Sequence, residues 1–128
     1  MRSAVTKAVK MCGLDIDQIY KAKNGREALD LMDQHPIDLL LIDINMPVLN
    51  GEQTVRELRR VVELADMPVI VISSEGSKKR VERLTELGAA FIKKPFNPAA
   101  LRTAVESLIP EEDRLEMACA DSDSEMDF

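Results

Sequence analysis

The sequence has no tryptophan and only four aromatic residues, one Tyr and three Phe. A platform for stacking nucleobases is therefore not expected. Cysteine is scarce: Cys12 and Cys119 lie far apart, and neither has a Cys or His neighbour at metal-ligand spacing, so free thiols are expected. No apolar run approaches the roughly 18 residues of a membrane span. The start, Met1-Arg2-Ser3, lacks the apolar core of an export signal. A cytoplasmic location is the expectation, with no membrane contact. No internal repeat occurs, and no glycine-rich phosphate loop follows any apolar run.

What is present is one domain's length, 128 residues, with 23 acids against 17 bases and a net charge of −6. The charge is uneven. Beyond Pro110 there are eight acids and only Arg114 as a base, so this tail carries −7. The preceding body holds 15 acids against 16 bases and is nearly neutral. An acidic balance argues against a general nucleic-acid binder. It does not make the folded part acidic. The reading is a folded body over 1–109 and an acidic, disordered, solubilising tail over 110–128.

Apolar runs alternate with amphipathic stretches. Helical spacing marks Ser3–Cys12, Arg26–Met32, Glu52–Val62, Lys78–Leu87 and Pro98–Leu108. Ile19–Ala22 alternates like a short strand. Leu39–Ile42 and Val69–Ile72 are unbroken apolar runs, as in strands covered on both faces of a parallel sheet. Ala90–Ile92 is a further short strand. Four strands and five helices in strict alternation predict an α/β, doubly wound parallel sheet with right-handed crossovers. In such sheets function collects at the carboxyl ends of the strands. Asp43, Ser73 and Lys94 stand at those ends.

A carboxylate just past a buried strand can act as a nucleophile in phosphoryl transfer, giving an aspartyl phosphate. Charge then builds on the phosphoryl oxygens and needs cations and donors. Lys94 offers a fixed positive charge and Ser73 a hydroxyl donor. A carboxylate-held divalent cation would supply the rest. Asp43-Ile44-Asn45-Met46-Pro47 with Gly51, Ser73-Ser74-Glu75, and Lys94-Pro95-Phe96, in this order, resemble the receiver domain of bacterial response regulators, the single-domain chemotaxis-type most of all. The resemblance covers residues 1 to about 109. It implies a flavodoxin-like fold with Asp43 as phosphoacceptor, Ser73 as switch hydroxyl, Lys94 as phosphate contact and Phe91 as switch aromatic. It also implies Mg2+ held by Asp43 and the backbone carbonyl of Asn45. The implied partners are a sensor histidine kinase or phosphotransfer protein and a protein output target, in a two-component system.

The chain departs from the family at its start. The family begins with an apolar strand ending in an acidic pair that holds the magnesium ion. Here no acid precedes Asp15, and Met1-Arg2 aligns beyond that pair. The expectation is a receiver truncated at the N-terminus, with Mg2+ weak or absent. In the 2-1-3-4-5 order of this fold the first strand is interior. Five buried apolar residues there are worth on the order of 10 kcal/mol, comparable with a domain's whole stability of roughly 5–15 kcal/mol. Three remedies are open: a start lying upstream, Ile19–Ala22 moving into the vacancy, or two chains associating as a homodimer through the open sheet. The tail's composition argues against its donating a strand. A turn one residue short between Gly88 and Lys94 favours packing over switching for Phe91.

The basic run Lys78, Lys79, Arg80 and Arg83 reads as a solvated helix face, and His35 as a loop residue. The expected function is a response regulator, not an enzyme, presenting the face built by Lys78–Leu87, Ala90–Ile92 and Pro98–Leu108 to a partner. The alternative is a degenerate receiver serving as a phosphorylation-independent, dimerising binding module. A flavodoxin-like cofactor binder is the third class, weakened by the missing phosphate loop.

Overall fold

The tail that composition marked as disordered supplies an interior strand of the sheet. The computed structural model describes residues 10, 11, 13, 16–44, 50–61, 64–73, 77–93, 97–109 and 115–120. Along the chain run β1 (Ile16–Ala22), α1 (Gly25–Gln34), β2 (Leu39–Asp43), α2 (Gly51–Arg60), β3 (Val69–Ser73), α3 (Lys78–Glu86), β4 (Ala90–Lys93), α4 (Pro98–Leu108) and β5 (Leu115–Ala120). The four later helices lie where apolar periodicity predicts them. Of the helix expected over Ser3–Cys12, only Lys10 and Met11 are described, and both are helical.

The sheet order is β1-β5-β2-β3-β4, with every pairing parallel. β5 sits between β1 and β2, the place of the first strand in the 2-1-3-4-5 order. It pairs Ala118 with Leu40 and Ala120 with Ile42 on one side, and Tyr20 with Ala118 on the other. Two expectations are thereby corrected. The tail is part of the domain through Ala120, and the described sheet has five strands rather than four. Ile16–Ala22 stays at the edge and does not move inward. The physical reason is local. Leu115–Ala120 carries one charge, Glu116, and otherwise small or apolar residues, with Met117, Ala118 and Cys119 fully buried. A tail-wide charge average hides a six-residue segment that matches a slot covered on both faces.

Two cores flank the sheet. Leu40, Ile42, Val69, Val71 and Ala118 pack beneath α1, α2 and α3 through Ala28, Met32, Val55, Leu58 and Leu84. Leu39, Leu41, Ile70, Ile72, Met117 and Cys119 pack beneath α4 through Leu101 and Val105. Strand alternation divides the two sets. Each of the helices α1–α4 opens on an Asn or Ser cap: Asn24, Asn50, Ser77 and Asn97. The short turn after α3 closes at Gly88, whose φ is +76°. There Ala89 N–H donates to Leu84 O at 3.0 Å and Gly88 N–H to Thr85 O at 2.9 Å, the double bond of a Schellman end.

Candidate functional site

Asp43 ends β2 and Ser73 ends β3, and both are buried, at 6% and 0% exposure. Their strands are adjacent, with Asp43 in register with Ile72. The chain past Asp43 stays tied to β3, since Ile44 N–H donates to Ile72 O at 2.9 Å. Burying a carboxylate at a strand end adds a desolvation cost that an apolar residue would avoid. Of the other sequence-predicted residues, Phe91 lies half-buried on β4, packed against the core beneath α1–α3. Lys94 and Asn45 lie outside the described residues.

The start of α2 closes over this end of the sheet. Asn50 and Gln53 form a reciprocal capping box, Gln53 N–H donating to Asn50 Oδ1 at 2.8 Å and Asn50 N–H to Gln53 Oε1 at 3.0 Å. Gly51 N–H donates to Ile44 O at 3.0 Å. A Cβ on Gly51 would stand 2.7 Å from Asp43 O and 2.8 Å from Ile44 Cα, both backbone atoms with no room to yield. Gly51→Ala is therefore expected to destabilise the chain by about 1–3 kcal/mol and to displace the backbone of Asp43. Urea unfolding reads the first effect.

Glu52, the next residue, ties α2 to α3. Its carboxylate accepts from Arg83 Nε at 3.1 Å and Arg83 Nη2 at 3.2 Å, a two-point fork, and from Arg56 Nη2 at 3.1 Å. Hydrogen bonding to Arg83, with further help from Arg56, holds the Glu52 carboxyl below its ordinary value of 4.5, while desolvation opposes this. A depressed carboxyl pKa contributes stability that is present above the unfolded-state value and lost as pH falls through the folded one. Glu52→Gln is expected to cost about 1 kcal/mol near neutral pH. It should also flatten the acid limb of the stability curve below pH about 4.5, read by thermal melts from pH 3 to 7.

Class and family emerge from this arrangement. A five-stranded parallel sheet flanked by helices, with a buried carboxylate and hydroxyl at adjacent strand ends, defines a flavodoxin-like α/β fold. The chain matches the family model for the response regulator receiver domain over residues 1–106, and it belongs to that family. Relatives include a CheY homologue of Campylobacter jejuni, 34% identical over 95 residues and covering 73% of each chain. Another is the sensor histidine kinase TmoS of Ectopseudomonas mendocina, 40% identical over 93 residues, 72% of this chain but 10% of the kinase. The chain thus spans a small part of some relatives and most of others. Vibrio cholerae CheY4 superposes with a TM-score of 0.69 at 27% identity, covering 81% of this chain and 85% of CheY4. The receiver domain of the Pseudomonas aeruginosa kinase PA1611 has the same fold, with a TM-score of 0.69 at 21% identity over 84% of this chain and 86% of that one, and was solved with a magnesium ion in its active-site cleft. Receiver domains are signalling modules, and this chain matches the receiver portion alone of its longer relatives.

The family's cation sets a test for the donors here. Among the described residues no three His, Cys, Asp or Glu side chains form a metal-binding group. Asp43 is a hard oxygen donor at the right strand end, and β5 stands beside it with Ala120 in register with Ile42. The sequence continues from Ala120 into Asp121, Ser122 and Asp123, which lie outside the described residues. Among the described residues, Asp43 offers one carboxylate oxygen donor of the kind that suits Mg2+. Sequence reasoning looked for an acidic pair only near the N-terminus. The signal it passed over is the short apolar run Leu115–Ala120, which forms the strand beside β2.

Proposed function

We propose that this chain accepts a phosphoryl group on Asp43 from a phosphohistidine and signals through protein contact. A carboxylate oxygen of Asp43 attacks phosphorus. The donor's P–N bond breaks as the O–P bond forms, and the leaving imidazole nitrogen takes a proton from solvent. The Ser73 hydroxyl donates a hydrogen bond to a phosphoryl oxygen, and the Lys94 ammonium balances its charge. Asp43, the Asn45 carbonyl and Asp121 would hold Mg2+, which when bound would supply charge neutralisation at the phosphoryl oxygens. The observation that carries this reading is the pair of buried polar residues, Asp43 and Ser73, at adjacent strand ends.

The proposed partners are a sensor histidine kinase or phosphotransfer protein and a protein target on the α3–β4–α4 face, in which Phe91 serves as packing. A cytoplasmic site of action accords with that partnership. β5 fills the interior slot, so the open-sheet dimer has no vacancy left to cover. The test is incubation with Mg2+ and acetyl phosphate or beryllofluoride. One added phosphoryl group by intact mass, placed on Asp43 by peptide mapping, is expected. A folded sample that neither gains mass nor binds beryllofluoride would leave the phosphorylation-independent binding module as the function.

A further inference from the structure

We infer that Glu52 is a positioning residue for Asp43. Its fork to Arg83 holds the start of α2, and with it the Asp43 backbone, in one geometry, so that the acceptor site and the seating of α3 are coupled. The inference rests on the acceptor reading and names a control over that site built from this chain's own residues.

There is no slack between Asp43 and the first turn of α2. Gly51 N–H donates to Ile44 O at 3.0 Å, and a Gly51 Cβ would stand 2.7 Å from Asp43 O. The turn itself is stiff. To the Asn50–Gln53 capping box it adds a bond from the Thr54 hydroxyl to Asn50 O at 2.7 Å. Glu52 lies inside this turn, with a side chain only 15% exposed. Arg83 Nε donates to Glu52 Oε2 at 3.1 Å and Arg83 Nη2 to Oε1 at 3.2 Å, and Arg80 Nε stands 3.9 Å from Oε1. Two parallel bonds from a planar guanidinium fix orientation as well as distance. A shift of Arg83 is thus carried into the turn that presses on Asp43.

α3 is the helix least held against such a shift. Leu84 is its one buried side chain, whereas α1 buries Ala28 and Met32, α2 buries Thr54, Val55 and Leu58, and α4 buries Leu101 and Val105. A second tie runs from the far end of α2, where Arg59 Nε donates to Leu87 O at 2.7 Å. Side-chain hydrogen bonds therefore carry much of the seating of α3, and an element with few buried apolar contacts opens locally at low cost. The two arrangements are the forked helix and the released one. Coupling between sites is reciprocal: a fork that favours occupancy of the Asp43 site is favoured by that occupancy to the same factor.

Labelling by acetyl phosphate with Mg2+, and amide hydrogen exchange, both on the full-length chain, test the coupling. Glu52→Gln and Arg83→Gln are each expected to slow labelling about fivefold. The double variant should be slower by about the same fivefold rather than about 25-fold, since both changes break one contact. Ala28→Gly on α1 weakens its helix without touching the fork and should label at the wild-type rate. In the wild type, beryllofluoride is expected to slow exchange at the α3 amides relative to those of α1, a reading that needs no variant, and Glu52→Gln should erase the difference. Single variants that label at the wild-type rate, or a double variant slowed by the product, overturn the coupling while the acceptor reading stands. Beryllofluoride that binds without preferential slowing in α3 does the same. If the wild type neither labels nor binds beryllofluoride, the acceptor reading falls, and exchange at Gly51 N–H judges the fork. Faster exchange there in Glu52→Gln upholds its grip on this backbone, and unchanged exchange overturns it.

Discussion

A chain ending at Arg114 is expected to lose cooperative unfolding altogether. Deletion of residues 115–128 removes Leu115, Met117, Ala118, Cys119 and Ala120, all at 3% exposure or less. Their burial is worth on the order of 8 kcal/mol, which stands against a total stability of roughly 5–15 kcal/mol for a domain. The loss extends beyond the deleted residues. β1 and β2 both pair with β5, so the backbone groups of two strands are left without partners, and Leu39 and Leu41 lose the strand beside them. Exposed strand edges of this kind pair with other chains, so aggregation is the expected accompaniment. Far-ultraviolet circular dichroism on heating would read a broad, non-sigmoidal loss of signal. A sharp melt within a few degrees of the full-length chain would mean that the interior position of β5 contributes little. The shorter deletion, after Ala120, keeps the strand and removes only residues 121–128. That chain should melt cooperatively in the absence of divalent cation.

Asp43→Asn is expected to abolish phosphoryl incorporation entirely, with no detectable mass increase under conditions that label the wild type to completion. The amide has the carboxylate's shape and remains buried beside Ile72, so the fold is kept, but it offers no anionic oxygen to attack phosphorus. The contrast with Ser73→Ala is informative. Removing one donor to a developing charge costs about a hundredfold in rate, so that variant should label slowly and to the same extent. Labelling of Asp43→Asn at the wild-type rate would place the acceptor elsewhere. Equal rates for Ser73→Ala and the wild type would reduce Ser73 to a buried hydroxyl at a strand end.

Much of the fold was legible because it rests on local patterns. Leu39–Ile42 and Val69–Ile72 are continuous apolar runs, and they form strands buried on both faces. The spacing of Val55 and Leu58, and of Leu101 and Val105, marked helices whose inward faces are those residues. Asp43 and Ser73 close the strands Leu39–Asp43 and Val69–Ser73, as the apolar runs before them predict. The residue-short turn before Phe91 also has a local solution, a helix end closed by a left-handed Gly88.

The place of Leu115–Ala120 was not legible in this way. Within the tail it reads as six weakly apolar residues flanked by acids, and no local rule distinguishes it from a solvated segment. Three small residues, Ala118, Cys119 and Ala120, have modest strand propensity. What selects them is the slot between β1 and β2, where helices cover both faces and every backbone group must find a partner. Glu116 lies near the start of the strand, where its N–H donates to Asp38 Oδ2 at 2.9 Å and its carbonyl accepts from Asp38 N–H at 2.8 Å.

By itself, the sequence determined the alternation of strands and helices, their parallel arrangement and the strand-end residues Asp43 and Ser73, because each depends on periodicities of a few residues. Only the tertiary structure decided which segment lies between β1 and β2, and so that the domain reaches Ala120. Pairing between segments as distant as Ile19 and Met117 is set by the shape and unmet hydrogen bonds of the whole sheet, which no local window contains.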